Sequence, residues 1–247
     1  DADDRMPPDR ISRQINFLDE NPGVDIMGAN MVVFGSKIRY WAHPCSMPFI
    51  HAGLLWGPTL NHPTVAAKTS VMQRFPYPEG HPLGEDYALW VSLAANGVKM
   101  ANAPFVGVFY RLSGQNTSQT TSFDRANRYM KLHQHAIQTL FCDVDTSSLT
   151  PGLQNGAHLA LAGIKNGPHA PKPSWKNIEK HATMMLAALG EIKSTAQDCE
   201  WVDVAISDTK ARLIRAKTNR RYGQLTDIWR LCLMTVADWK FLLLRCR

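Results

Sequence analysis

Asp1-Ala2-Asp3-Asp4 opens the sequence, and Arg5-Met6-Pro7-Pro8-Asp9-Arg10 follows with the pattern of a strand that ends and turns into a helix. In an extended segment the side chains of residues i and i+2 point the same way, so Asp1 and Asp3 can present two carboxylates to one hard cation. Ligands of open α/β sheets gather beyond the carboxyl ends of the strands. The stretch therefore predicts a metal site at a strand end, and a solvated turn or a helix N-cap is the alternative.

A second acidic pair stands in His81-Pro82-Leu83-Gly84-Glu85-Asp86-Tyr87-Ala88-Leu89-Trp90, directly after a loop rich in Pro and Gly. The apolar spacing behind the pair predicts a helix that begins near Gly84-Glu85. Both carboxylates then lie in the first turn, where the helix dipole favours their ionised forms. They can simply stabilise the helix there, or one of them can accept a proton from a substrate hydroxyl.

Helix and strand patterns alternate along the first part of the chain, which predicts an α/β architecture. The first helix is expected over 8–20 with Ile11, Ile15 and Leu18 facing inward. The other expected elements are strands near 24–34, 64–67, 98–101 and 105–112, and helices near 48–55, 85–96 and 123–141.

Composition predicts a change of organisation near residue 143. The 247 residues, 45% of them hydrophobic, can bury a core and form one domain or two. Residues 143–173 are rich in Gly, Pro, Ser, Thr and Asn and are predicted to be a linker between residues 1–142 and a helical region over 174–247. Five cysteines without a short paired spacing argue against a disulfide framework or a zinc site.

The end of the chain is basic and amphipathic. Residues 145–247 contain 15 Lys and Arg against 9 Asp and Glu, which accounts for the net charge of +6 because the first 144 residues are balanced. After the basic stretch 210–221, apolar residues from Leu225 to Leu243 recur on one helix face. Charged residues interrupt this run and argue against a transmembrane helix. The helix either lies in a membrane interface or packs on the preceding helices; no nucleic-acid-binding fold is recognisable.

Taken together, the motifs of residues 1–120 resemble those of the inverting glycosyltransferases of family two, which have the nucleotide-sugar-binding GT-A fold. The predicted fold is thus a partial GT-A, Rossmann-like sheet with flanking helices, followed by a helical carboxyl-terminal region. The segments that carry the resemblance, in the family's order, are Asp1-Ala2-Asp3-Asp4 with Pro8-Asp9-Arg10-Ile11, Asn21-Pro22-Gly23-Val24-Asp25-Ile26-Met27-Gly28, Asn61-His62-Pro63-Thr64-Val65, Gly84-Glu85-Asp86-Tyr87 with Leu89-Trp90, and the segment from Tyr110-Arg111 to Asn116-Thr117-Ser118.

The resemblance implies a role for each matching residue. Asp1, Asp3 and Asp4 match the motif that holds Mn²⁺ or Mg²⁺ on the donor diphosphate. Asp86 matches the general base that deprotonates the acceptor hydroxyl, and Glu85 is its neighbour in the motif. His62, Arg111 and Trp90 are expected to bind donor or acceptor; a structural role for His62 and a surface salt bridge for Arg111 are the alternatives. The implied partners are a nucleotide-sugar donor and a saccharide, lipid-linked or protein acceptor, in a cytoplasmic setting or at the inner face of the membrane.

The sequence departs from the family pattern at its start. A whole family-two domain begins with a βαβ nucleotide-binding half, and no such half precedes Asp1, so the chain alone is expected to have little or no activity. Two other functions remain open: a metal-dependent phosphotransferase or phosphohydrolase that uses Asp1 and Asp3, and a non-catalytic domain that binds glycan or protein.

Overall fold

The structure is a computed structural model that describes residues 3–35, 38–79, 84–112, 125–164, 172–195 and 200–222, without the side chains of 125–127 and 218–222. The chain divides into two compact units. Unit 1 consists of Asp1–Leu54 and Pro58–Ser122, and unit 2 of Leu55–Gly57 and Phe123–Arg247. Asp1, the Asn116 segment and the amphipathic segment 225–243 lie outside the described residues.

Unit 1 is a mixed α/β structure, which confirms the predicted fold class. A partial sheet is flanked by helices, and a short 3-10 turn follows the second helix. The described elements are α1 (Arg10–Glu20), β1 (Ile26–Gly35), β2 (Arg39–Trp41), α2 (Met47–Leu54), the 3-10 turn His62–Thr64, β3 (Ala66–Ala67), α3 (Thr69–Arg74), α4 (Glu85–Ala95) and β4 (Met100–Leu112).

Strand β1 is the centre of the sheet. It runs parallel to β4 along its whole length, while β2 and β3 pair with it in antiparallel orientation. Its first six residues are buried, as expected for a strand of a parallel pair that is covered on both faces. Strand β1 therefore lies in the core of unit 1 and offers fixed backbone groups to the segments around it.

Strand β4 contains an irregularity at Pro104. The register passes from Ala29 opposite Ala103 to Asn30 opposite Val106 and then to Met31 opposite Val108, so two extra residues and then one more stand on the β4 side. Proline has no backbone N–H to give to the ladder and is tolerated in sheets at such bulges. The sequence predicts two strands here, and the structure instead has one strand with a bulge.

Helix α1 faces the sheet with a different side from the one predicted. Ile11 and Ile15 are each 53% exposed, whereas Gln14 is only 3% exposed. The buried Gln14 amide donates a hydrogen bond to the carbonyl of Thr64 (2.8 Å), and this contact turns the face of Gln14 and Leu18 inward. The prediction for Ile11 and Ile15 was wrong because a buried polar anchor, and not the apolar spacing, sets the rotation of the helix.

Unit 2 is helical, in agreement with the predicted helical carboxyl-terminal region. Glycine and proline act here as helix boundaries: Gly156 and Gly163 have left-handed φ angles of 78° and 76° at the two ends of α7, and Pro151 lies in the first turn of α6. The predicted linker thus contains two helices, and α5 groups with unit 2. The described elements are α5 (Arg125–Leu140), the 3-10 turn Ser147–Leu149, α6 (Thr150–Gln154), α7 (Ala157–Ala162), α8 (Trp175–Thr195) and α9 (Glu200–Tyr222).

Three buried histidines form a cluster in unit 2 that the sequence analysis did not identify. His158 Nε2 lies 2.9 Å from the carbonyl of Leu55, so this nitrogen carries a proton and donates it. Nδ1 of His158 is then an acceptor for His181 Nε2 at 3.0 Å, and His133 Nδ1 lies 3.4 Å from the same Leu55 carbonyl. Burial lowers the pKa of His133 and His181 to about 4 and holds the pKa of His158 well below its usual value.

The segment Leu55–Gly57 of unit 2 is also held by ring contacts. Trp56 stacks on His158 with ring centroids 4.8 Å apart, and the Arg212 guanidinium lies 4.8 Å from the Trp56 ring. Arg212 in turn pairs with Asp208 at 2.9 Å, and both side chains are largely buried. The neutral histidines and the paired arginine thus form one contact network around Trp56.

The contact between Gly152 and the His181 ring gives a first prediction. A Cβ atom at Gly152 would lie 1.9 Å from His181 Nδ1, whereas a Cβ atom at the exposed Gly190 of α8 would meet nothing within 4 Å. We expect Gly152→Ala to lower the free energy of unfolding by about 1–3 kcal/mol through overpacking. The matched helical variant Gly190→Ala should raise it by about 0.5–1 kcal/mol. Urea unfolding followed by circular dichroism measures both; equal effects would contradict the buried contact.

The histidine cluster predicts a loss of stability in acid. The three imidazoles are neutral in the folded protein, while an unfolded histidine takes up a proton near pH 6.5. Unfolding therefore binds extra protons below pH 6.5, and stability falls as the pH drops from 6.5 towards 4 by about 1.4 kcal/mol per pH unit for each histidine. Urea unfolding at several pH values should show this slope, and His181→Asn should reduce it. An unchanged slope in His181→Asn would contradict the assignment.

Candidate functional site

Two buried side chains fix the Asn61–Thr64 segment on β1. The Thr64 hydroxyl accepts a hydrogen bond from the backbone N–H of Ala29 (2.8 Å), and the Asn61 amide donates to the Ala29 carbonyl (3.0 Å). Asn61 and Thr64 are 6% and 0% exposed, whereas His62 between them is exposed. The segment is therefore held at both ends and presents the His62 imidazole at the surface of unit 1.

Helix α1 holds the same segment from a second direction. The Arg10 guanidinium donates to the carbonyl of Pro63 at 2.8 Å and to Gln14 Oε1 at 3.1 Å. Gln14 itself donates to the Thr64 carbonyl, and partial burial lowers the pKa of Arg10. These contacts bring the start of α1, which directly follows the acidic opening motif, next to His62.

Asp4 and Arg5 lie beside the carboxyl end of β4. Arg5 forms an isolated antiparallel bridge with Phe109, and Asp4 Oδ1 accepts the backbone N–H of Arg111 at 2.8 Å. Asp3 is exposed, and the exposed Arg111 guanidinium lies 5.3 Å from the Phe34 ring. Within the described residues no group of three or more His, Cys, Asp or Glu side chains is arranged to hold a metal ion.

Hydrogen bonds hold the acidic turn, formed by Glu85 and Asp86, at the start of α4. The Tyr87 hydroxyl donates to the Leu54 carbonyl at the end of α2, and burial raises the pKa of Tyr87 above its usual value. The Tyr87 N–H donates to Asp86 Oδ1 at 2.7 Å, and the Gly84 N–H donates to Glu85 Oε2 at 2.9 Å. Glu85 is exposed and Asp86 half-buried, so the Asp86 carboxylate is fixed in place and still reached by solvent.

His62, Tyr77 and the acidic turn come together in unit 1. His62 Nε2 lies 2.8 Å from the Tyr77 hydroxyl. The pKa of Tyr77 is raised by burial and then by the negative charges of Asp86 and Glu85 at the start of α4, and Trp90 of the same helix lies 6.1 Å from the His62 ring, centroid to centroid. Three of the sequence-predicted site residues therefore share one surface region, and it includes a tyrosine that the sequence analysis missed.

Trp90 lies behind this region and not in it. Its ring is 0% exposed and lies 6.1 Å from the His62 ring, centroid to centroid. In this arrangement Trp90 supports His62 from the core and has no surface to offer a substrate. The short stretch Pro76-Tyr77-Pro78 gives only a weak local signal for the role of Tyr77, because its partner is fifteen residues away in the sequence.

The chain is similar to several proteins that are named glycosyltransferases. It is 32% identical to an uncharacterized glycosyltransferase of Haemophilus influenzae over 161 residues, and this aligned region covers 62% of this chain and 59% of that protein. It is 32% identical over 109 residues to the amylovoran biosynthesis glycosyltransferase AmsE of Erwinia amylovora, which covers 43% of this chain and 41% of that protein.

A third relative has a more specific name. The chain is 26% identical over 146 residues to WfaP of Escherichia coli, named a UDP-Glc:alpha-D-GlcNAc-diphosphoundecaprenol beta-1,3-glucosyltransferase, which covers 53% of this chain and 49% of that protein. The chain thus spans about half the length of the relatives it matches. No protein-family model matches it, and no solved structure matches it. The shared names support a relation to glycosyltransferases.

The Thr64 anchor gives a prediction that tests how the His62 segment is held. Thr64→Val removes the only hydroxyl that accepts the Ala29 N–H among the described residues, and a buried N–H without an acceptor costs about 1–3 kcal/mol. We expect a loss of that size in urea unfolding. The control is Thr209→Val in unit 2, where the buried hydroxyl donates to the Ala205 carbonyl within α9 and its removal leaves no donor unpaired. Equal losses in both variants would contradict the special role of Thr64.

Proposed function

We propose that this chain forms part of the active site of an inverting glycosyltransferase with a GT-A fold, which moves a sugar from a nucleotide-sugar donor to an acceptor hydroxyl. The observation that carries the proposal is that His62 bonds to Tyr77 and lies against α4, the helix whose first turn contains Glu85 and Asp86. The glycosyltransferase names of the relatives support the same reaction class.

Asp86 is the general base in this proposal. Its Oδ1 is engaged by the Tyr87 N–H, and within the described residues its Oδ2 has no hydrogen-bond partner. Oδ2 can accept the proton of an acceptor hydroxyl as that oxygen attacks the anomeric carbon. The transition state of such a substitution has oxocarbenium character, and attack opposite the departing diphosphate inverts the anomeric centre. Glu85 adds negative charge to the same turn.

A divalent cation is part of the proposal, with Asp1, Asp3 and Asp4 as its protein ligands. The exposed Asp3 and the anchored Asp4 fit such an ion, because Mg²⁺ commonly uses only one or two protein carboxylates and completes its shell with phosphate and water. Bound Mn²⁺ or Mg²⁺ would neutralise charge on the departing diphosphate. Arg111, whose backbone N–H fixes Asp4, adds a positive charge at the same end of β4.

The proposed acceptor is a growing saccharide or a lipid-linked glycan. The name of AmsE refers to amylovoran biosynthesis, and the name of WfaP to UDP-Glc and to alpha-D-GlcNAc-diphosphoundecaprenol. A protein acceptor is a further possibility from the family resemblance. We also keep the proposal that the basic segment after residue 210 contacts the inner face of a membrane. Among the described helices, none has the length and apolarity needed to cross a bilayer.

Asp86→Asn tests the proposed base. The amide keeps the size of the side chain and can still accept the Tyr87 N–H, but it is not basic enough to take a proton. In the longest form of the protein that contains this chain, we expect kcat for transfer from UDP-glucose and other nucleotide sugars to fall by about 10²- to 10⁴-fold. Release of the nucleoside diphosphate is the measurement, and circular dichroism checks the fold.

Asp19→Asn is the matched control. Asp19 is an exposed carboxylate on α1, and its replacement by asparagine removes the same charge. Its turnover should equal that of the unmodified protein. If Asp86→Asn retains full transfer, Asp86 is not the base. If phosphate-ester hydrolysis is found in place of sugar transfer, the protein is a phosphohydrolase.

A further inference from the structure

Tyr77 makes a specific contact with His62 that neither the motif pattern nor the relatives assign. The Tyr77 hydroxyl lies 2.8 Å from His62 Nε2, and the two rings meet edge-on with centroids 6.0 Å apart and an interplanar angle of 83°. Tyr77 is 43% exposed and belongs to the short segment between α3 and the acidic turn. The contact thus joins two exposed side chains beside the proposed base.

The chemistry of the two groups decides which of them donates. Either the phenol O–H donates to an unprotonated Nε2, or a protonated Nε2–H donates to the phenol oxygen. An imidazole nitrogen is far more basic than a phenol oxygen, so the first arrangement is the stronger bond. Burial and the charges of Asp86 and Glu85 also raise the pKa of Tyr77, so the phenol keeps its proton.

We propose that Tyr77 is a positioning residue of the transfer site, whose hydroxyl donates to His62 Nε2 and thereby fixes the imidazole in the tautomer that carries its proton on Nδ1. This inference rests on the proposed function. The Nδ1–H is then available as a hydrogen-bond donor to an oxygen atom of a bound substrate. A donor that is oriented before the substrate arrives needs no reorganisation during the reaction.

The second part of the argument is how firmly the pair is held. The backbone on either side of His62 is held, because the side chains of Asn61 and Thr64 bond to Ala29. The buried Trp90 ring lies 6.1 Å from the imidazole, centroid to centroid. We therefore expect the phenol hydroxyl to control the position of the His62 proton more than the position of the ring, and Tyr77→Phe should change this property without disturbing the fold.

The first arm of the test is nuclear magnetic resonance of the ¹⁵N-histidine-labelled chain. The His62 signals are assigned by their loss in His62→Gln. In the unmodified protein we expect a protonated Nδ1 and an unprotonated Nε2, and in Tyr77→Phe a shift towards the Nε2–H tautomer. Tyr40→Phe is the matched control, because the Tyr40 hydroxyl also bonds a side chain, Asn30 Nδ2, and should leave the His62 signals unchanged. An Nε2–H tautomer in the unmodified protein, or no change in Tyr77→Phe, overturns the proposal.

The second arm measures transfer in the longest form of the protein that contains this chain. Tyr77→Phe should lower kcat by about 10-fold, the effect expected for one hydrogen bond, with KM nearly unchanged. The double variant His62→Gln/Tyr77→Phe should be no slower than His62→Gln alone, because the two residues act as one unit. A tautomer change in Tyr77→Phe without a loss of kcat overturns the positioning role. So does a double variant whose loss of kcat is the full combination of the two single losses.

The two arms separate this inference from the proposed function. If the unmodified protein transfers no sugar from any nucleotide sugar, the proposed function fails, and the positioning role fails with it even when the tautomer result is as expected. If transfer occurs and depends on Asp86 but not on Tyr77, the proposed function stands and only this inference is overturned.

Discussion

The exchange of hydrogen bonds between Ala29 and the side chains of Asn61 and Thr64 is the constraint on which the candidate site depends. Ala29 is buried and lies in β1, which pairs with β4 along its length. A backbone N–H and C=O buried without partners would be costly, and two polar side chains meet this need. The same two side chains hold the backbone on either side of His62. The same hydrogen bonds therefore contribute to the stability of unit 1 and set the geometry of the site.

Polar contacts to the backbone, more than apolar spacing, arrange the segments around this anchor. Arg10 and Gln14 bond to the carbonyls of Pro63 and Thr64, Asp4 bonds to the N–H of Arg111, and the Tyr87 hydroxyl bonds to the carbonyl of Leu54. Each contact joins residues more than thirty positions apart in the sequence. The site is thus assembled by long-range hydrogen bonds from side chains to main-chain atoms. Substitution of the residue that contributes the main-chain atom does not remove that atom.

This explains which features could be predicted from the sequence. Helix α4 and the acidic turn at its start were predicted correctly because their signals are local: a Gly-Glu-Asp start and an apolar run behind it. The buried strand β1 and the helical carboxyl-terminal region were predicted for the same reason. The inward face of α1 was not, because Gln14 finds its partner only in the folded chain. The bulge at Pro104, Tyr77 as the partner of His62 and the cluster of His133, His158 and His181 likewise depend on contacts that no local spacing reveals. The roles of Asp86, Glu85 and the opening aspartates stay predictions.

The contact of Gly152 with the His181 ring has an evolutionary consequence. A side chain larger than a hydrogen atom at position 152 requires the imidazole at position 181 to shift, so a substitution at one position affects the stability that the other can provide. A lineage that acquires alanine at 152 loses least stability when a smaller residue already stands at 181, and that smaller residue also removes the hydrogen bond to His158. Homologous sequences should therefore change at 152 and 181 together, and this joint variation would be a record of the packing that is legible without any structure.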